Sequence, residues 1–273
     1  MKFIKTIFLE HDFEEEATKL EGEYADRSHV NKYIDRTRRI VAPDGQTTAM
    51  FLRDVIPQAL YEQAFATCWK NVRGLPSNRA AAVGTRSFQR VKKDTSLSLR
   101  RGPSKHSLAL LKKWGTATGV LGFVGGTRDR SRLTERHLEM LDQNRGLFEF
   151  IDKLYKKHLG DIYTKQELVI AQAPNRRLWD TVFSSAYLAK RFQAGYHRDG
   201  NLKGVMTALI TTGDFKGGDL VIPRWRIAIK LRPGDLLFFD AEELHGNLEI
   251  EGDRLSFAFY CASIRQLLKA GTD

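Results

Sequence analysis

Tyr196-His197-Arg198-Asp199-Gly200-Asn201 places an imidazole and a carboxylate two residues apart, and His245 supplies a second imidazole further along the chain. At the end of a strand, His197 and Asp199 project to the same side, because side chains alternate with a period of two. Two imidazoles and one carboxylate on one face of an octahedral ion leave its remaining positions open, which suits oxygen activation at non-haem iron(II). A lone His-x-Asp is accidental in most sequences. Here Arg254 and Ser256 follow His245, again on one face of a strand. A guanidinium beside a hydroxyl can grip one carboxylate of a dicarboxylic acid through charge-assisted hydrogen bonds. Arg254 by itself reads as a surface ion pair and Ser256 as a strand filler. Their common register with His245 makes a joint accident improbable.

The elements that must position these residues begin after Asp180, where short runs rich in β-branched and aromatic residues alternate with Gly, Pro and Asp turns. Strands are predicted near 187–196, 205–212, 219–222, 227–231, 235–239, 247–250 and 255–262, with Gly217-Gly218 and Pro233-Gly234 as tight turns. Such strands close into a jelly roll or barrel with helices packed outside. Upstream, Ile56, Leu60, Ala64, Phe65 and Cys68 fall at helical spacing within 55–72. A second helical block runs over 134–158, with Asn144-Arg145-Gly146 as its candidate interruption. Between them, a short strand and a short helix near 108–114 are expected among loops. The acidic cluster of Glu14, Glu15, Glu16, Glu21 and Glu23 reads as a solvated face without chemistry. His11, His29, His106, His137 and His158 read as surface or helix residues.

The 273 residues suffice for one good-sized core. Two cysteines, Cys68 and Cys261, exclude a disulfide scaffold and a cysteine-rich zinc module. No apolar run reaches the roughly 20 residues of a membrane-spanning helix. The basic, briefly apolar start runs into Glu10, His11 and Asp12 rather than small residues, so a non-secreted, intracellular chain is expected, in a bacterial or phage-infected cytoplasm or a nucleus. The formal charge of +11 is concentrated: from Arg73 to Arg132 fourteen Lys/Arg face only Asp94 and Asp129. Phe88, Trp114 and Phe123 are interleaved with that charge, which suits phosphate contacts with base stacking and points to DNA or RNA rather than a small neutral substrate.

With these residues in view, the stretch from about Asp180 to Ala262 resembles the 2-oxoglutarate-dependent oxygenases, whose pattern of His-x-Asp, distal His and Arg-x-Ser is met by His197, Asp199, His245, Arg254 and Ser256. Asp214-Phe-Lys-Gly-Gly-Asp-Leu, Arg232-Pro-Gly-Asp-Leu-Leu-Phe-Phe and His245-Gly-Asn are similar too. The resemblance implies an α+β chain with a double-stranded β-helix (jelly roll) core and flanking N-terminal helices. It implies Fe(II) on His197, Asp199 and His245, 2-oxoglutarate on Arg254 and Ser256, and O2 as cosubstrate. We expect a single oxygenase domain over 1–273, with 1–179 a helical and basic DNA-binding elaboration and 180–265 the core.

Within that superfamily the chain is most similar to the TET/JBP group, which oxidises the methyl of 5-methylpyrimidines in DNA. His197-Arg-Asp-Gly-Asn-Leu resembles the His-Arg-Asp-x-His-Asn-Met stretch of animal TET enzymes with one residue fewer, and so places Asn201 at a base-contacting position. Ser77-Asn78-Arg79-Ala80-Ala81-Ala82 resembles the Asn-Arg-Gly-type segment of compact TET-like proteins, making Asn78 a second base contact. Tyr260 falls where the family stacks an aromatic on an extruded base, and Arg79, Arg86, Arg90, Lys92, Lys93, Arg100 and Arg101 are the expected backbone contacts. Ala262 departs from the pattern by replacing a base-contacting histidine, and the animal cysteine-rich part is missing, so the likeness is to compact microbial or phage forms. The implied reaction is hydroxylation of 5-methylcytosine in DNA by a monomer, by hydrogen abstraction from a flipped or single-stranded base. The alternatives are a JBP-type thymine hydroxylase, a prolyl or lysyl hydroxylase acting on protein, a small-molecule oxygenase, or a nucleic-acid-binding jelly roll without catalysis.

Overall fold

A computed structural model describes residues 4–75, 81–84, 105–124, 130–200 and 202–262. Twelve strands among the described residues form two sheets: β1 Thr6–Phe8, β2 Lys32–Ile34, β3 Arg38–Val41, β4 Thr47–Leu52, β5 Ala117–Gly122, β6 Ser185–Lys190, β7 Thr207–Gly217, β8 Leu220–Ile222, β9 Ile227–Ile229, β10 Leu236–Phe239, β11 Gly246–Asn247 and β12 Ile250–Tyr260. The large sheet has the order β1-β3-β4-β10-β7-β12-β6-β5 and the small one β11-β8-β9-β2. This is the expected α+β jelly roll.

Alternation on the large sheet sorts its side chains into two layers. Leu255, Phe257 and Phe259 of β12, Ala208 and Ile210 of β7, and Leu236 and Phe238 of β10 join one buried cluster with the helices. Arg254, Ser256 and Ala258 alternate with them and face inward, with Leu209, toward the small sheet. The helical cover consists mainly of Gln58–Cys68, Arg145–His158 and Gly160–Ile170. On the second of these, Leu147, Phe148, Ile151, Asp152 and Tyr155 are buried, a spacing that keeps one face on the sheet. Phe148 meets Phe259 edge-on at 4.7 Å and Tyr155 stacks on Phe238 at 4.8 Å. Each such side chain contributes roughly 1.5–3 kcal/mol through burial. Tyr155 satisfies its phenol by accepting from the Met206 N–H and donating to Gln166, so no polar cost offsets that gain.

Each of the seven strand runs read from the sequence after Asp180 overlaps one of β6 to β12. The run 187–196 is cut short: β6 ends at Lys190 because Arg191 adopts a left-handed φ of 45°, which breaks the extended backbone. His197 therefore lies in a loop rather than at a strand end. The block 134–158 is three helices, Arg132–Arg136, Leu138–Gln143 and Arg145–His158, interrupted at His137 and at Asn144. The basic segment contains the expected strand, β5, and the expected helix, Lys105–Lys113. The first 52 residues supply four strands that the sequence reading did not anticipate, three of them in the large sheet, so the N-terminal part is more than a helical elaboration. No helix among the described residues is long and apolar enough to cross a membrane.

Candidate metal centre

Two loops carry the three candidate ligands, and backbone hydrogen bonds zip them together. The His197 N–H donates to the His245 carbonyl at 2.9 Å, the His245 N–H returns to the His197 carbonyl at 3.0 Å, and the Asp199 N–H donates to Ala241 at 2.8 Å. His197 Nδ1 lies 2.8 Å from the Gly195 carbonyl and His245 Nδ1 2.9 Å from the Glu243 carbonyl. A carbonyl only accepts, so each Nδ1 carries its proton and each Nε2 keeps a lone pair, the tautomer a metal requires. The imidazole centroids are 4.4 Å apart, and His197 Nε2 is 3.6 Å from Asp199 Oδ1. The three ligand atoms lie within 4.8 Å of one another, and their residues line a cavity of about 80 Å³. This mixed nitrogen and oxygen set, with only three protein donors, fits iron(II) with open coordination positions.

Arg254 faces the same cavity from β12, with Ser256 and Ala258 further along the same side of the strand. It is 3% exposed, and its Nε has no hydrogen-bond partner. Burial pushes the guanidinium down to about 10; Asp219 opposes that shift, but Asp219 is itself engaged by Arg232 at 3.1 Å. Arg254 thus remains a cation at neutral pH, held in the protein at a cost that a carboxylate ligand would relieve. Gly217 and Gly218 both have φ of +70°, forming the tight turn into β8. A Cβ on Gly218 would sit 3.0 Å from Arg254 Nε, a tight approach that adds to the strain a side chain meets at this left-handed backbone position. Ala82, Ala189, Ala194 and Ala258 keep the cavity open, while Phe192, Leu209, Leu220 and Phe239 make its wall apolar.

The acidic N-terminal cluster proves to be tied to this centre, which corrects its reading as a purely solvated face. Glu14 lies on a short helix, Glu14–Thr18, and pairs at 2.6 Å with Arg198, the residue between two ligands. Arg198 also donates to the Glu242 carbonyl at 2.8 Å. Arg224 binds Asp12 through two nitrogens, at 3.0 and 2.7 Å, and reaches Glu243 at 2.9 Å. Burial raises the Glu243 carboxyl, and Arg224 opposes the rise. One strap of chain therefore holds both ligand loops. Arg224→Met is expected to weaken Mn(II) binding about tenfold, as loss of a supporting contact to a ligand loop does. Calorimetry with Mn(II) checks this, and an unchanged affinity would refute the strap.

His197, Asp199, His245, Arg254 and Ser256 are all brought together, as their spacing predicts. Tyr260 instead lines a smaller cleft that shares Asp199 with the main cavity and includes Leu202 and Glu242. Asn78, Asn201, Arg79, Arg86, Arg90, Lys92, Lys93, Arg100 and Arg101 lie outside the described residues. Asn247, two residues after His245, accepts from the Ala194 N–H at 2.8 Å and donates to Leu248 at 2.9 Å, so it braces the loop leading to His197. His29 lies on a short 3-10 helix, Arg27–His29, in keeping with its reading as a surface or helix residue, and is half-buried with Nδ1 3.0 Å from the Tyr196 hydroxyl. Among the described histidines outside the ligand set, its contact with the residue preceding His197 had no local sequence signal.

Residues 128–263 match the family Tet_JBP, described as the oxygenase domain of the 2OGFeDO superfamily. Among curated proteins, the bifunctional helicase and thymine dioxygenase JBP2 of Trypanosoma brucei brucei is 35% identical over 143 residues, covering 49% of this chain and 13% of that protein. JBP2 of Leishmania tarentolae is 30% identical over 163 residues, or 56% of this chain and 15% of the relative. Thymine dioxygenase JBP1 of Trypanosoma brucei brucei is 28% identical over 145 residues, or 48% and 17%. The chain thus spans less than a fifth of the length of these relatives. Among solved structures, NgTET1 in complex with 5mC DNA shares the fold with a TM-score of 0.53 and 13% identity, covering 97% of this chain and 84% of that one.

Proposed function

This chain belongs, through residues 128–263, to the Tet_JBP family of 2OGFeDO oxygenases, and from that premise we propose that it hydroxylates the methyl group of a 5-methylpyrimidine in DNA. Its cofactors are Fe(II) and 2-oxoglutarate, with O2 as cosubstrate. The observation that carries the reading is a buried arginine with an unpartnered Nε facing two imidazoles and a carboxylate across one small, largely apolar cavity.

His197, Asp199 and His245 would hold the metal, and with only three protein donors they would leave positions for small ligands. Arg254, with Ser256 beside it, grips the distal carboxylate of 2-oxoglutarate and so orients the keto acid toward the ligand set. Iron(II) held there would supply oxidising chemistry for a C–H bond, in which 2-oxoglutarate loses CO2, one oxygen atom of O2 ends in succinate and the other in the alcohol. Phe192, Leu209, Leu220 and Phe239 exclude water, which limits side reactions of that oxidant. The cavity is too small for a duplex, so the target nucleotide must leave the base stack, and Tyr260, in the adjoining cleft that shares Asp199, is its stacking partner in this reading.

5-Methylcytosine is the first target proposed, supported by the TET resemblance and by the 5mC DNA bound to NgTET1. Thymine is the second reading, supported by the names of the curated relatives. Ala262, 8% exposed, offers no side-chain donor or acceptor to distinguish a cytosine amino group from a thymine carbonyl. Mass spectrometry of nucleosides decides, after incubation with Fe(II), ascorbate and 2-oxoglutarate on DNA containing 5-methylcytosine or thymine alone. 5-Hydroxymethylcytosine is expected; 5-hydroxymethyluracil instead would establish the second reading. Succinate release stimulated by a peptide but not by DNA would replace both.

A further inference from the structure

The strand β5 ends the large sheet, and along it runs a groove of about 640 Å³ that is separate from the metal cavity. Arg73, Arg132 and Arg136 line it, with His137 at one end and no Asp or Glu among its described lining residues. All three arginines are exposed, and no carboxylate pairs with any of them among the described residues. Glu139 pairs with His137 at 3.3 Å. Arg73 and Arg132 are the two ends of the basic segment, and the fold brings them to opposite sides of one strand edge: Gly74 bridges to Thr118, and the Ser131 N–H donates to the Gly122 carbonyl.

Register links this groove to the metal centre. Ser256 of β12 pairs with Ala189 of β6, which pairs with Thr118 of β5; Ala258, Tyr187 and Val120 form the next row. Paired residues share a face, so Thr118 and Val120, on the wall of the groove, continue the face that carries the cofactor anchor. With strands about 4.8 Å apart, Thr118 lies about 10 Å from Ser256. That distance equals about three base-pair rises along a duplex.

We propose that Arg73, Arg132 and Arg136 form a binding site for the phosphodiester backbone of DNA flanking the nucleotide being oxidised. The proposal rests on the DNA reading above and adds where the backbone runs. Three exposed guanidiniums in one concave groove, with no Asp or Glu among its described lining residues, suit successive phosphates, each of which takes a forked donor; the Nε of Arg73 donates to the Lys70 carbonyl at 2.9 Å, which leaves its terminal nitrogens for a phosphate. Contacts of this kind fix register and orientation without reading sequence.

The test is duplex binding by the 273-residue chain across a salt series, for wild type, the triple variant Arg73→Ala/Arg132→Ala/Arg136→Ala and the corresponding triple lysine variant. Loss of three phosphate contacts should flatten the plot of log K against log salt by about 3 and weaken binding at least tenfold near 0.1 M salt. The lysine variant should keep most of the slope. Affinity for 2-oxoglutarate with Mn(II) should be unchanged in both, which shows that the fold survives. An unchanged slope in the alanine variant, or an equal loss in the lysine variant, would overturn the groove while leaving a wild-type methylpyrimidine hydroxylase intact. Wild-type protein that neither binds nor oxidises DNA would overturn the functional reading and the groove together.

Discussion

Replacing Arg254 with methionine is expected to weaken 2-oxoglutarate binding about 100-fold or more while leaving the ligand-free protein at least as stable as wild type. The two halves of this result have one cause. The guanidinium is fully buried, its Nε has no acceptor, and burial lowers its proton affinity, so the empty protein carries the desolvation cost of a cation without the compensating partner. Methionine fills similar volume without that cost. When the keto acid binds, the cost is repaid by hydrogen bonds to a charged group, roughly 1.5–3 kcal/mol each. Losing two of them corresponds to about 3–6 kcal/mol, and each 1.4 kcal/mol is tenfold in affinity. Thermal melting with and without 2-oxoglutarate and Mn(II) reads both halves, because a ligand that binds only the folded state raises the melting temperature. A variant that melts well below wild type yet keeps its 2-oxoglutarate affinity would show Arg254 to be a structural residue.

Asp199→Ala should abolish metal binding and succinate release while leaving salt-sensitive DNA binding largely intact. The carboxylate is the only anionic ligand in the set, so its loss removes charge compensation for a divalent ion as well as one bond. The effect should exceed the roughly 10–100-fold that loss of a supporting contact costs. The loop should keep its path, since Asp199 is pinned through its own backbone N–H to Ala241 and the neighbouring His197 and His245 bridge is also backbone. Calorimetry with Mn(II), succinate detection and duplex binding are measured on the same preparation. Loss of all three would point to a metal that holds the fold rather than one that performs chemistry.

Much of the centre was legible in the chain because its signals are local. His-x-Asp, Arg-x-Ser and the glycine pair at 217–218 act over two or three residues, and the seven strand runs after Asp180 carry their own β-branched composition and turn punctuation. The early strands are a different case. β1 and β2 are three residues each, and β3 opens with two arginines; such segments become strands through what lies beside them. β4, for instance, is held by β10, with Met50 opposite Phe238. The helical block at 134–158 was readable by period, but its exact breaks depended on how each turn packs.

The sequence by itself determined which groups could ligate a metal and grip a carboxylate, since residue type sets ligand chemistry and local spacing sets which side chains share a face. Only the tertiary structure decided that the Arg254 Nε lacks an acceptor, that Glu14 reaches Arg198 across 184 positions and Asp12 reaches Arg224 across 212, and that Arg73 and Arg132 line one groove along a sheet edge. The physical reason is range: propensity and periodicity act between neighbours in the chain, whereas burial and ion pairing depend on what the completed fold places alongside each group.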